Sequence, residues 1–341
     1  MKSNTTDGQT SCLIFGKHQP FQASILEPLP LADSRLASRG WILQERLLSP
    51  RTIHYASAQV VWECCRFYQT EDNIPFPATE RPTRVSWLRF PKVGESGLDI
   101  LWYTNLIGND FATRNFTQYG DRLVAVAGIA KIFKAAIKQR YVAGLWEDSF
   151  IYGLTWETIR HPPLPRNSST RREPTWSWIA HDFCFNWRRR RSGFVSSKEL
   201  IINDIRLQYL GHDSDEFGRV DSGSLTVTGL TAEFRVARRY QPCWNGTFFA
   251  DAADEAVRED YISRFDYDYI EENPALAQYH MQDVSIKGLL LGEYNGRGPF
   301  FLLLIPDEKG STRFKRLGTA EAVKGNQKGF LGEVPETLEI I

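Results

Sequence analysis

The sequence predicts an α+β fold, and three observations carry that prediction. A short amphipathic helix runs straight into a hairpin near residue 50, helical periodicity fills the middle of the chain, and short alternating runs fill the C-terminal half. The expected organisation is a helix-hairpin in residues 1–69, a proline-rich linker over 70–97, a helical region over 98–192 and a β-rich antiparallel region over 193–341. With 341 residues, one large domain or two ordinary ones are possible, and either buries a full core.

The helix-hairpin is the most informative stretch. Ser38 and Gly40 offer a start, and Trp41, Glu45 and Leu48 fall on one face, with Leu47 at its edge. Pro50 disfavours helical geometry at Ser49, so the helix is expected to end there. Arg51-Thr-Ile-His-Tyr55 and Val60-Val-Trp-Glu-Cys64 then flank the turn Ala56-Ser-Ala58, as two strands would. Upstream, Phe15 to Leu31 is expected to lay an extended segment against a core.

Four prolines (Pro75, Pro77, Pro82 and Pro91) mark the linker. Beyond it, Leu98, Leu101, Trp102 and Asn105 share a helical side, with Leu106 following. Asp121 is placed to cap a long amphipathic helix from Arg122 to about Tyr141, with Leu123, Val126, Ala127, Ala130, Phe133 and Ile137 as its apolar stripe. After Gly144, a shorter helix is expected over Leu145 to Thr158.

Strands are expected at Leu200–Ile205, Leu225–Leu230, Val284–Leu291, Phe300–Ile305 and Thr312–Leu317, with turns at Asp221-Ser-Gly-Ser224 and Gly296-Arg-Gly-Pro299. They suggest a sandwich or partial barrel, interrupted by an acidic, partly helical insertion over 240–280. The 10 tryptophans and 21 phenylalanines point to one shared interface between the parts rather than freely swinging units.

Composition bounds the rest. Lysine plus arginine equals aspartate plus glutamate at 41 each, so no global field draws the chain to nucleic acid or membrane. No apolar run reaches the roughly 18 residues of a membrane span, and the polar start Met1-Lys-Ser-Asn-Thr-Thr lacks a signal-peptide core. A cytoplasmic location is the expectation. The five cysteines are scattered and show no CxxC pair, which suggests reduced, mostly buried thiols. Vicinal Cys64 and Cys65 have no neighbouring redox motif.

The residues Arg39-Gly-Trp41, Gln44-Glu-Arg46, Leu48-Ser-Pro-Arg51 and Trp62-Glu-Cys64 together resemble the RGW-LQER-LSPR-hairpin-WEC signature of the fungal heterokaryon incompatibility (HET) domain. Asp121-Arg122-Leu with Gly128, Tyr141-Val-Ala-Gly-Leu-Trp-Glu147 and Pro174-Thr-Trp176-Ser-Trp178 resemble downstream motifs of the same family, in the same order. The resemblance implies that the helix-hairpin is the tail of a TIR-like α/β domain. The family's opening Tyr-x-Ala-Leu-Ser-Tyr-x-Trp-Gly motif is missing upstream, so the chain is expected to be truncated. The implied role is nonself recognition and programmed cell death through contacts with a protein partner.

Candidate chemistry is sparse. Some TIR domains cleave NAD with a glutamate, which makes Glu45 (as a buried general base) or Glu63 the candidates if the protein were an NAD-cleaving enzyme. A structural ion pair or cap is the competing reading for Glu45, and no catalytic partner is apparent in sequence. The six histidines His18, His54, His161, His181, His212 and His280 are too far apart for a local metal motif, and each is read as satisfied or exposed. Neither metal nor cofactor is expected. Gly218, Gly223 and Gly229, and Gly292 to Gly298, read as hairpin turns rather than phosphate loops. Arg188–Arg191 is the strongest basic run, and a solvated loop is preferred there over nucleic-acid binding. Trp176 and Trp178 are expected to pack where helices meet the β region rather than to stack a ligand.

Overall fold

The computed structural model describes residues 36, 38–56, 59–64, 67–72, 75–77, 97–160, 173–181, 184–187, 193–210, 215–236, 248–250, 286–294, 298–308, 310–321, 331–332 and 334–341. Outside these lie the Phe15–Leu31 segment, most of the expected linker and acidic insertion, Arg188–Arg191, four of the six histidines, and Cys12, Cys65 and Cys243.

Helix α1 spans Gly40–Leu48 and stops as expected, with Ser49 extended at φ −74° and ψ 128° ahead of Pro50. Strands β1 (Arg51–Tyr55) and β2 (Val60–Cys64) follow as an antiparallel hairpin in the register Arg51↔Cys64 to Tyr55↔Val60. The chain continues into β3 (Phe67–Thr70) and β4 (Pro75–Pro77), giving a four-stranded sheet in sequence order. The expected linker therefore begins as an edge strand. Proline is tolerated at such an edge because its missing N–H is not needed there.

In the middle region, α2 (Leu98–Ile100) winds directly into a π-helix over Leu101–Gly108. The wide winding turns two adjacent pairs, Trp102–Tyr103 and Leu106–Ile107, into the core. The long helix expected from Arg122 is shorter. A 3₁₀ turn at Val124–Val126 precedes α3 (Ala127–Ile137), and Asp121 ends an earlier 3₁₀ turn instead of capping α3. Lys138 at φ 59° closes α3 in the left-handed conformation.

The helix expected over Leu145–Thr158 is largely replaced. A hairpin of β5 (Tyr141–Val142) and β6 (Leu145–Trp146) leads to a four-residue α4 (Phe150–Gly153), and β7 (Glu157–Arg160) pairs with β8 (Cys184–Asn186). The cause is local. Ala143 at φ 47° and Gly144 at φ 92° form a two-residue turn with both centres left-handed, which reverses the chain tightly into a hairpin.

The C-terminal region is β-rich and mostly antiparallel, as expected, and among the described residues its strands join one nine-stranded sheet. Its order is β10 (Ile201–Tyr209), β11 (Val220–Gly229), β17 (Glu336–Ile340), β16 (Arg313–Glu321), β15 (Pro299–Pro306), β14 (Ile286–Tyr294), β12 (Thr231–Val236) and β13 (Phe248–Ala250), with β9 (Phe194–Ser196) also on β14. All pairings are antiparallel except β16 with β17. Asp221-Ser-Gly-Ser224, Gly223 and Gly229 belong to β11 rather than to turns, while Gly218 does sit in a turn, its N–H on the Asp215 carbonyl at 2.7 Å. Gly223 faces β10 so closely that a Cβ would lie 2.6 Å from Leu207 Cδ2, so the glycine serves the pairing. Gly292 lies in β14 at a register shift, where a Cβ would meet the Val195 carbonyl of β9 at 2.2 Å.

One apolar cluster takes in Leu43 and Leu47 of α1, the aromatic middle, and Leu225, Leu289, Phe300, Leu302 and Ile340 of the sheet. The shared interface expected from the aromatic content is therefore present.

Candidate functional site

The signature residues are positioned by α1 and its hairpin. Register puts Thr52 and His54 on the same face of the sheet as Val61 and Glu63, and this face turns toward α1. Glu63 is only 2% exposed and meets Arg46 of α1, itself 6% exposed, in a two-point pair: Nε to Oε2 at 2.7 Å and Nη2 to Oε1 at 3.1 Å. His54 Nε2 shares Oε2 at 2.7 Å. Burial pushes the Glu63 carboxyl up, but the His54 hydrogen bond and the Arg46 guanidinium outweigh it and hold the group down at about 2.

This pair changes which face of α1 is inside. Gly40, Leu43, Arg46 and Leu47 are buried, Trp41 is half-buried against the core, and Glu45 and Leu48 are exposed. The expected face of Trp41, Glu45 and Leu48 is therefore rotated, because apolar periodicity does not anticipate an arginine drawn inward by a buried carboxylate. Glu45, expected as a buried base, lies in solvent on the outer side of the helix. Its backbone carbonyl accepts from Ser49 N at 3.1 Å, which closes the helix.

Gln44 reaches across to α3, where its Oε1 accepts from Gly128 N at 2.6 Å. That bond satisfies one of the N–H groups left open in the first turn of α3. A Cβ at Gly128 would stand 2.7 Å from Leu48 Cδ1 and 2.9 Å from Gln44 Oε1, so a side chain there would displace the Gln44 amide from its bond. Gly40 is similarly fixed by the Phe116 ring, which a Cβ would overlap at 1.9 Å. Arg39, itself exposed, precedes the helix in a parallel bridge to Asn115, and Asn115 N donates to Ser38 O at 2.7 Å.

A second constellation surrounds Arg122. Its guanidinium carbon lies 5.4–6.0 Å from the ring centroids of Phe185, Phe116, Trp178 and Phe111, and Nη1 donates to the His181 carbonyl. Trp178 Nε1 donates to the Gly144 carbonyl at 3.2 Å, and Trp102 Nε1 to the same oxygen at 3.0 Å. Ser177 Oγ donates to Ala143 O at 2.6 Å and accepts from Ile179 N at 3.2 Å. Trp176 and Trp178 are fully buried, so both tryptophans pack in the core as expected.

Of the remaining signature positions, Pro50 and Arg51 are exposed, and Ser49, Trp62, Cys64 and Asp121 are half-buried. Sequence reasoning missed two things. Arg316 of β16 is buried over the Trp156 ring at 3.4 Å, with Nη1 on Leu154 O at 2.6 Å and Nη2 on Trp156 O at 2.5 Å. No local motif announces it. The His54–Glu63 contact lies outside such reasoning too, because it depends on the exact register, His54↔Val61 and Thr52↔Glu63, which makes these residues diagonal neighbours on one face.

No family model matches the chain, and no curated protein or solved structure matches it. Among the described residues, no group of three or more His, Cys, Asp or Glu is placed to hold a metal ion, and no helix is long and apolar enough to cross a membrane. Chemically, the carboxylate held at about 2 is a poor proton acceptor near neutrality, and Glu45 is surrounded by water. Neither has the character that a buried general base requires.

Proposed function

We propose that the protein is a cytoplasmic member of the fungal HET-domain group, acting in nonself recognition and regulated cell death through protein–protein contacts. The observation that carries this reading is that the motif residues interlock with one another. Gln44 of the LQER motif holds Gly128 of the DRL helix. Gly40 seats Phe116, which flanks Arg122 of the DRL motif. Arg122 faces Trp178 of the PTWSW motif, and Trp178 bonds Gly144 of the YVAGLWE turn. Four chance matches scattered along a chain would have no reason to be joined through their own signature side chains.

How the charges are used supports action through contacts rather than bond-breaking. Arg46, Glu63 and Arg122 are buried and engaged in holding elements together. Induced expression in a filamentous fungus tests the reading. Loss of viability is expected, relieved by Trp178→Ala, and normal growth with the protein present at detectable level would overturn it. Purified protein incubated with NAD should release no nicotinamide. Release that disappears in Glu45→Gln would replace this reading with a TIR-like NAD-cleaving one.

A further inference from the structure

β1 is the open edge of the four-stranded sheet, and among the described residues it pairs only with β2. Its hydrogen-bonding polarity is set by the turn. Ala56 N donates to Gln59 O at 3.2 Å, so that pair is bonded, and alternation makes His54↔Val61 and Thr52↔Glu63 the other bonded pairs. The other edge of β2 agrees, because Glu71 N donates to Val60 O at 3.0 Å, so Val60 turns its carbonyl toward β3. The backbone N–H and C=O groups of Arg51, Ile53 and Tyr55 therefore point to the open edge.

The side chains of the same three residues stand on the outer face. Tyr55 is 81% exposed, Ile53 is 49% exposed, and Arg51 is exposed beside them. Half-buried Val60 and Trp62, opposite Tyr55 and Ile53, extend this face inward. An unshifted edge that presents Ile53 and Tyr55 in this way is a template for another strand.

We propose that β1 pairs with β1 of a second copy of the chain, antiparallel about a two-fold axis at Ile53, joining two four-stranded sheets into one. The register follows from the strand itself. Centring on Ile53 sets Ile53 against Ile53 and Arg51 against Tyr55 of the other copy. All three residues with outward backbone groups then meet as bonded pairs, which no register shifted by one residue achieves. The same register lays each Arg51 guanidinium over the other copy's Tyr55 ring, a cation on an aromatic face, and keeps the two arginines apart. A strand with a charge at both ends or a bulge at its centre would not match itself in this way. This pairing does not depend on the incompatibility reading.

Sedimentation or light scattering across a concentration series reads the outcome. The wild-type protein is expected at twice the chain mass, falling to the monomer on dilution. Tyr55→Lys and Ile53→Lys should each give the monomer over the same range with unchanged thermal melts, since both side chains face water in the single copy. Ile53→Pro should do the same, because the N–H it removes points away from β2. A wild-type protein that stays monomeric throughout, or a dimer that survives Tyr55→Lys and Ile53→Lys intact, would overturn the proposal. Loss of viability in the fungal assay with monomeric wild-type protein would sink this pairing and leave the functional reading standing.

Discussion

The two main sheets of this molecule solve the same problem by opposite means. In the C-terminal sheet, β15 is buried along almost its whole length: Phe300, Leu302 and Leu304 join the main core, and Phe301, Leu303 and Ile305 are buried on the other face, with Phe301 packed on Phe234. Apolar burial on both faces, with ladders to β14 and β16, holds such a strand. The hairpin sheet has one inner face and four short strands, and it fixes α1 with the Arg46–Glu63–His54 cluster. Their edges differ too. β10 ends the large sheet with a register shift between Ile202 and Asp204 and an Asp204–Arg206 ion pair at 2.6 Å, whereas β1 is regular and presents Ile53 and Tyr55. Irregularity and charge protect an edge from foreign strands, and β1, with a cation only at Arg51 and no register shift, has less of both.

The largest way to break this contrast is on the apolar side. Trp178→Ala removes a fully buried indole and should lower stability by about 3–5 kcal/mol in denaturant unfolding. On the polar side, Glu63→Gln takes the Glu63 charge away from the buried Arg46 guanidinium and should cost about 3 kcal/mol, close to the lower end for such broken pairs. Replacing both partners with leucine should recover most of that loss; a double variant as unstable as the single one would show that the cluster does more than neutralise itself.

Acid should separate the two sheets. The folded-state value of Glu63, about 2, lies below the ordinary 4.5, so its contribution is complete above pH 4.5 and is lost as pH falls toward 2. Hydrogen exchange across that window is expected to accelerate first in α1, β1 and β2, with β15 still protected. Uniform acceleration would remove the distinction between the regions. Gln44→Ala takes one bond from the first turn of α3 and should cost about 1 kcal/mol. Glu45→Gln, changing only a solvated side chain, should shift stability by no more than about 0.5 kcal/mol.

Much of the hairpin was legible, because Pro50 dictates where α1 stops and β-branched alternation marks both strands. The face of α1 was not, since Arg46 is inward only in the presence of Glu63, 17 residues away. The hairpin at Tyr141–Trp146 was hidden by helix-like spacing of large apolar residues, and only the left-handed pair Ala143–Gly144 decides against a helix there. β12 and β17 escaped notice for a different reason. Thr231–Val236 and Glu336–Ile340 are short and mix charge with apolar residues, and they become strands because neighbours offer them a ladder. At the candidate site the motif residues were found by resemblance, while Arg316, whose guanidinium ties the sheet to the Leu154 and Trp156 carbonyls, sits in a strand of ordinary composition.

Among the described residues, six indoles, of Trp102, Trp146, Trp156, Trp176, Trp178 and Trp187, lie out of water, whereas Trp41 and Trp62 beside the hairpin are partly wetted. The protein thus carries its own two-colour optical gauge. The interior set emits toward the blue and is shielded from an aqueous quencher such as iodide, while the hairpin pair emits further to the red and is dimmed first. With Trp87 and Trp244, which lie outside the described residues, replaced by phenylalanine, collisional quenching resolved by wavelength would follow loosening of the N-terminal sheet and melting of the aromatic centre as separate signals, with no label attached.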